Sequence, residues 1–490
     1  MSMNRNIGWI LFLLLSIQFV SGQILHRDSY HLDTITADKS GILLGNGIID
    51  ILTRDSLVWV ATGYGLNRTI DGGSSWYTFN SSDYQTKGGV SAIAFMDDST
   101  LWIATAFDTI VSDGSELPAG GGLSYTRDDG QTWTYIPQPV DPRDVTGYKP
   151  TTTNVQNLTY DLAVADSTIW IACFGGGLRK SRNMGQSWQV VTTDGFPFEP
   201  LKYLNHRAFS VLTENNNIWI GTAGGISRSS DQGISWRRFT HQNQKYPISG
   251  NFVVSLAYQS FTNTIWAATI ETDTSELRAV SKSDNGGETW EVMLPGIFAH
   301  NFAFDDSVVY VATDEGMFVS ADGGMNWYTL PPIRDLRSGE EILTTTFYSA
   351  GVSREFPARR IWAGSTDGLA STVDNGNHWT VHRSYKSTRD PGVPRVYAYP
   401  SPFSPSRQGY IRFQYDITHT GEVEIEIYDF AMDKVAGIHE YETDPGGTGG
   451  DRSAKWNGRS DSGKTVASGV YFFRAKIEGK ITWGKLVLIN

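Results

Sequence analysis

Ser229-Ser230-Asp231-Gln232-Gly233-Ile234-Ser235-Trp236 is one of seven copies of a single pattern: a hydroxyl residue, Asp or Asn two positions on, Gly two further, a short polar residue and Trp. The others run from Thr69 to Trp76 with Asp71, Thr126 to Trp133 with Asp128, and Ser181 to Trp188 with Asn183. Ser283 to Trp290 with Asn285, Ser320 to Trp327 with Asp322, and Thr372 to Trp379 with Asp374 complete the set. Self-similarity at roughly 40–50 residues marks a propeller or solenoid, so the repeat is read before any single residue.

Each copy follows a second recurring segment, an apolar residue, Trp, two small or apolar residues and a hydroxyl, as in Val58-Trp59-Val60-Ala61-Thr62 and Ile218-Trp219-Ile220-Gly221-Thr222. Such runs, bounded by turn residues and without polar alternation, read as strands buried on both faces. Another strand-like run lies upstream, and Gly-Leu or Gly-Ile opens a third downstream. The Trp pattern forms the hairpin into a fourth. Four antiparallel strands in each of seven units predict a seven-bladed β-propeller. In the hairpin, Asp accepts backbone hydrogen bonds from two residues on, Gly supplies a positive φ, and Asn serves both needs at Asn183 and Asn285.

The hairpins resemble the Asp-box, or BNR, repeats of the sialidase-like superfamily, shared by sialidases, xyloglucanases, sortilin and photosystem II assembly factors. The resemblance covers about residues 47 to 386. It implies that the boxes are structural and lie away from any active site. A sialidase would also carry an Arg-Ile-Pro motif and an arginine triad. The chain has no Arg-Ile-Pro, and Arg143, Arg207, Arg334 and Arg337 lack the matching context.

The chain has 490 residues with a formal net charge of −12, which disfavours nucleic acid and anionic lipid as partners. Arg5, the apolar run Ile7 to Val20 and the small residues Ser21 and Gly22 read as a cleavable signal peptide over 1–22. No later apolar run is long enough to span a membrane, so a secreted or outer-surface location is expected. The lone cysteine, Cys173, takes the position of the hydroxyl in its B strand and reads as a small buried residue.

With the strands of a blade named A to D outward, the boxes lie on C–D hairpins and point to one face. The D–A and B–C loops point to the other, where propellers usually bind ligands over the central channel. Those loops carry the candidate ligand-binding residues Asn157, Tyr203, His206, Arg207, Asn251, His300, Asn301, Asp108, Asp314 and Asp367. Carboxylates, amides, a His-Arg pair and aromatic rings suit a glycan or protein ligand. Of the 16 Trp, none falls on these loops, which weighs against a tryptophan platform for sugar. His206 and His300 lack a diagnostic metal spacing, no cofactor fingerprint occurs, and no catalytic residue is identifiable. A non-catalytic binder is therefore favoured. A glycoside hydrolase of the Asp-box superfamily and an assembly scaffold are the alternatives.

Residues 23–386 are read as the propeller and the polar, proline-containing 387–395 as a linker. Over 396–490, Ile411 to Tyr415 and Val423 to Tyr428 alternate apolar and polar residues, as strands of a sandwich do. Tyr399-Pro400-Ser401-Pro402-Phe403, Ile427-Tyr428-Asp429, Trp456-Asn457-Gly458 and Gly469-Val470-Tyr471 resemble the Ig-like domain of the flagellar hook-capping protein FlgD. They are similar also to the sorting domains of type IX secretion substrates, departing at Ser401 and Asn457, where Asn and Asp are usual. That resemblance implies an Ig-like β-sandwich, export through type IX machinery, and a short final strand over Lys485 to Asn490.

Overall fold

A computed structural model describes residues 43–337, 340–355, 358–385, 388–389, 392–442 and 450–490. The expected signal peptide, 1–22, lies outside the described residues. The described residues divide into two compact units, one built from 43–331 with Thr345–His382, the other from Pro332–Thr344 with Arg383–Asn490.

The first unit is a seven-bladed β-propeller. Blade one has strands A Ile48–Arg54, B Leu57–Thr62, C Gly65–Thr69 and D Tyr77–Phe79, paired antiparallel in that order. Blades two to seven repeat the four-strand order over 89–136, 159–191, 208–239, 252–293, 299–329 and 347–382. The six B-strand tryptophans, Trp59, Trp102, Trp170, Trp219, Trp266 and Trp362, are all buried, as strands covered on both faces require.

The box hydrogen bonds repeat in all seven copies. The first hydroxyl donates to the Asx side chain at 2.8–3.0 Å and accepts from the box glycine N–H at 2.7–3.1 Å. The Asx oxygen accepts from the N–H four residues on, not two, as Ser75 N to Asp71 and Ser235 N to Asp231 show, each at 2.9 Å. Asn183 and Asn285 take no positive φ; the left-handed residues are the two that follow, Met184 with Gly185 and Gly286 with Gly287. Their amides instead donate to Ser187 and Thr289 at 2.9 and 2.7 Å, where an Asp would accept.

Blades are joined by a recurring contact. The Trp of one box packs edge-on against the B-strand Trp of the preceding blade, as Trp236 on Trp170 at 6.2 Å and Trp327 on Trp266 at 6.3 Å. A cation beside that inner Trp reaches a box carbonyl of the next blade: Arg68 to Asp129, Lys180 to Gln232, Arg228 to Gly286 and Lys282 to Gly323, at 2.7–3.1 Å. The same four cations stand 5.1–5.9 Å from the B-strand rings, so each clamp combines a hydrogen bond with a cation–π contact.

Closure of the ring uses the same parts. Among the described residues all four strands of blade seven come from one continuous stretch, and no strand is exchanged with blade one. Trp76 instead packs on Trp362 at 6.1 Å, and the Arg360 guanidinium sits against Gly72, closer than a β-carbon there would allow. Arg354 N–H donates to Asp55 O and Thr53 Oγ1 to Val352 O, both at 2.8 Å.

The second unit holds a three-stranded sheet (Val396–Tyr399, Ile411–Ile417, Gly450–Trp456) and a four-stranded one (Lys434–Glu442, Gly421–Tyr428, Gly469–Ile477, Lys480–Leu488). Alternate residues of both, among them Phe413, Tyr415, Ile425, Ile427 and Phe473, form one core, so the sheets face each other as a β-sandwich. The last strand starts at Lys480, earlier than the apolar run alone suggests, because it pairs along the whole of Gly469–Ile477. Pro332–Thr344, which falls between blades six and seven in sequence, belongs to this unit. Its Glu340 accepts from Arg383 Nε at 2.6 Å and Ser453 Oγ at 2.9 Å. Burial raises the Glu340 pKa, but the charges of Arg383, Arg412 and Lys455 outweigh it and hold the group below its usual range.

Candidate functional site

Every A strand slips register by one residue near its start, a β-bulge that turns an extra side chain toward the axis. The bulged residues are Ile49, Ser91, Tyr160, Phe209, Val254, His300 and Tyr348, one from each blade. All seven line a single cavity of about 180 Å³ in the channel mouth. The next residue along is polar in six blades: Asp50, Asp161, Ser210, Ser255, Asn301 and Ser349. Each of these pairs with the small residue of the B-strand motif, as Asp50 with Ala61, Asp161 with Ala172 and Ser210 with Gly221. At Gly221 and Gly364 a β-carbon would meet Val253 and Ile48 on the A strand of the next blade at 2.7 and 2.6 Å.

The polar ring ties blade to blade. Asp161 Oδ2 accepts from Ser210 Oγ at 2.8 Å and Val211 N at 2.9 Å, and Ser210 Oγ accepts from Leu256 N at 3.0 Å. Asp50 Oδ1 accepts from Ile51 N at 2.8 Å and from Asn301 Nδ2 at 3.4 Å. Both carboxyls are half-buried within the channel. Burial pushes Asp50 up to about 6, with hydrogen bonds chiefly from Ile51 pulling the other way. Burial likewise pushes Asp161 up to about 7 against its bonds from Val211 and Ser210, with the Asp50 charge adding to the rise.

Around this ring stands an aromatic collar. Tyr160 and Phe174 lie 5.2 and 5.9 Å from Phe209, and Phe209 lies 4.5 Å from Phe252. Across the mouth, His300 sits 4.5 Å from Phe298 and 4.8 Å from Tyr348. His300 Nε2 pairs with Asp314 Oδ1 at 2.8 Å.

Of the residues expected on this face, His300 and Asn301 line the cavity, and Asp314 touches it through His300. Several others are engaged inside the fold. Asn157 is fully buried and donates to Pro139 O at 2.9 Å. His206 accepts from Glu199 N at 2.9 Å through Nδ1, so Nε2 carries the proton it shares with Asp194 at 3.1 Å. Tyr203 is stacked with Phe196, and Arg207 Nε donates to Pro200 O at 2.6 Å. Asn251 bonds Gln242, His241 and the buried Glu276. Asp108 stands on an extension of blade two, where 106–121 continues the B and C strands as a hairpin, and Asp367 is at the blade-seven B–C turn.

Sequence reading missed Asp50, Asp161 and the collar rings Tyr160, Phe209 and Tyr348, because they lie on strands and not on loops. It also missed the pin of the long 137–154 connection, where buried Arg179 meets Asp141 in a two-pronged ion pair at 2.8 Å on each arm. Cys173 is fully buried, and burial pushes its thiol up to about 11. An open recess of about 610 Å³ beside Glu271 to Arg278 is larger than the channel cavity. In it Glu276 accepts from Thr272 N at 2.7 Å, and Arg278 faces Glu271 at 3.6 Å. Among the described residues no three His, Cys, Asp or Glu side chains are grouped to hold a metal. No helix among them is long and apolar enough to cross a membrane.

No family model matches the chain, and no curated protein matches it. Among solved structures it is similar to an ancestral GH74 enzyme, at 13% identity over 92% of this chain and 64% of that one, with a TM-score of 0.53. It is similar also to the GH74 enzyme of Niastella koreensis, at 16% identity over 92% of this chain and 75% of that one, with a TM-score of 0.51. PorZ, a surface component of the type IX secretion system of Porphyromonas gingivalis, aligns at 14% identity and a TM-score of 0.45, over 91% of this chain. The chain spans 60% of the length of PorZ. At these identities the likeness shows the β-propeller fold alone.

Proposed function

We propose that the chain is an exported, surface-located propeller that binds a glycan or protein ligand at the channel mouth without catalysing a reaction on it. The observation that carries this reading is the convergence of all seven bulges on one aromatic-collared cavity. Apolar walls with a few fixed polar groups are what binding sites share. The box face has no such convergence, since its side chains are engaged in their own turns. The C-terminal unit serves in this proposal as an Ig-like sorting domain that carries the propeller through type IX machinery, with residues 396–490 as that domain and 23–386 as the propeller. The motif order from Tyr399 to Tyr471 supports it.

A glycan array and a cell-surface pull-down with the full chain test the binding role. A captured ligand released by Tyr160→Ser supports it, and a ligand held equally by that variant counts against it. Truncation after Tyr385 tests sorting: retention of the shortened chain inside the cell is expected.

The glycoside hydrolase reading draws on Asp50 and Asp161, two carboxyls held near the pH of general acid–base work. Against it, both are already engaged by backbone or side-chain donors within the fold. Turnover of xyloglucan or a chromogenic sialoside, abolished by Asp161→Asn, would promote it above the binder. A stable co-purifying protein partner would favour the assembly scaffold instead.

A further inference from the structure

We infer that the channel mouth is a socket for a single cationic side chain, an arginine or lysine presented by an extended partner peptide. This deepens the proposed binding role and rests on the channel mouth being the ligand face. Among the described residues the cavity is lined by two carboxylates, Asp50 and Asp161, and by no Lys or Arg. Tyr160, Phe209 and Tyr348 line the same cavity as those carboxylates, and aromatic rings attract a cation through their quadrupoles.

The rest of the propeller shows the same chemistry satisfied from within. Lys180, Arg228 and Lys282 each lie over a tryptophan of their own blade while bonding the next. In the channel the two carboxylates and the lining rings share one cavity whose described lining holds no Lys or Arg. Two arginines do stand near the rim, Arg207 by Phe174 and Arg278 by Phe298. They are turned to Pro200 O and to Glu271 and do not line the cavity. A volume of about 180 Å³ admits one side chain more readily than a sugar ring with its substituents. A metal is less well served, since among the described residues no three His, Cys, Asp or Glu side chains are grouped to hold one.

Occupancy should follow ionisation. Asp50 and Asp161 gain charge as pH rises through about 6 and 7, while the guanidinium or ammonium stays protonated throughout. The other titratable groups facing them are His300, held to Asp314, and the phenols of Tyr160 and Tyr348.

The test is calorimetric titration of the full chain with the blocked peptide Gly-Ser-Arg-Ser-Gly and with its counterpart carrying neutral citrulline in place of arginine. At pH 8 the arginine peptide is expected to bind at least tenfold more tightly than the citrulline one. Its affinity should fall at least tenfold by pH 5. Asp161→Asn should reproduce that loss at pH 8, and Asp231→Asn on the box face should not. Equal affinities for the two peptides, or an arginine affinity flat from pH 5 to pH 8, would overturn the inference even if Asp161→Asn fails to fold. If the arginine peptide fails while a ligand from the array is released by Tyr160→Ser, the cation socket falls and the binding face stands. If that ligand is held equally, both fall.

Discussion

The propeller has two acidic rings with opposite chemistry. On the box face Asp71 is exposed, Asp128, Asp231, Asp322 and Asp374 are partly exposed, and all are multiply hydrogen-bonded; bonds from Asn326 and His378 hold Asp322 and Asp374 down to about 2. In the channel, Asp50 and Asp161 also accept hydrogen bonds, yet burial drives them up to about 6 and about 7. The donors are similar in kind; the amount of protein packed around the carboxyl is not. Where little protein surrounds the carboxyl the donors lower the pKa, and where protein packs around it desolvation outweighs them. One ring is thus fixed in its charge and serves the turns. The other changes its charge near neutrality and faces open space.

The largest effect is expected where the ring closes. Trp362→Ala removes a fully buried indole against which Trp76 packs, and should cost about 3–5 kcal/mol by urea unfolding. A loss below about 1 kcal/mol would show that the seam between blades one and seven is held some other way.

Next comes the channel. The folded pKa values of Asp50 and Asp161 are raised, so the stability their protonated forms contribute is full below about pH 4 and is lost as pH rises through about 6 and 7. Asp161→Asn keeps an acceptor for Val211 N without the ionisation. The difference in melting temperature between variant and wild type should therefore shift in the variant's favour from pH 5 to pH 8. For the box aspartates the sign reverses: their contribution is present above about pH 4 and lost as pH falls toward 2. A constant difference for Asp161→Asn across pH 5 to 8 would erase the contrast between the rings.

A smaller effect sharpens the box side. Ser229→Ala leaves the part-buried Gly233 N–H without its 2.8 Å acceptor, and about 1–3 kcal/mol is expected. Smallest is the inter-blade clamp. Lys282→Met keeps the stem over Trp266 and deletes the bond to Gly323 O, for about 1 kcal/mol. Both are read by chemical denaturation.

The sequence made the box side legible because its chemistry is local. A hydroxyl, an Asx and a glycine within eight residues specify a turn whatever surrounds them, and seven repetitions fix the number of blades. It was less informative about the hydrogen-bond direction, since only the folded turn shows Asp71 reaching forward four residues to Ser75 N. The channel side is non-local. Asp161 lies in Thr159–Ala165, a strand whose neighbours are apolar, and its role depends on Ser210 and Val211 about 50 residues away. A signal was nevertheless present: the residue paired with the small position of each B-strand motif is polar in six of seven blades. Reading pairs across strands, and not the loops alone, would have brought Asp50 and Asp161 forward. Loop residues such as Asn157, His206 and Asn251 looked equally polar in sequence, and only burial separates a side chain that holds a loop from one that meets solvent.

The contrast between the rings is tested most directly by following every aspartate side-chain carboxyl through an NMR pH titration of the full chain. Two carboxyls, assigned through Asp50→Asn and Asp161→Asn, should titrate near 6 and 7, while those of Asp322 and Asp374 titrate near 2. All four titrating together near 4 would contradict the account.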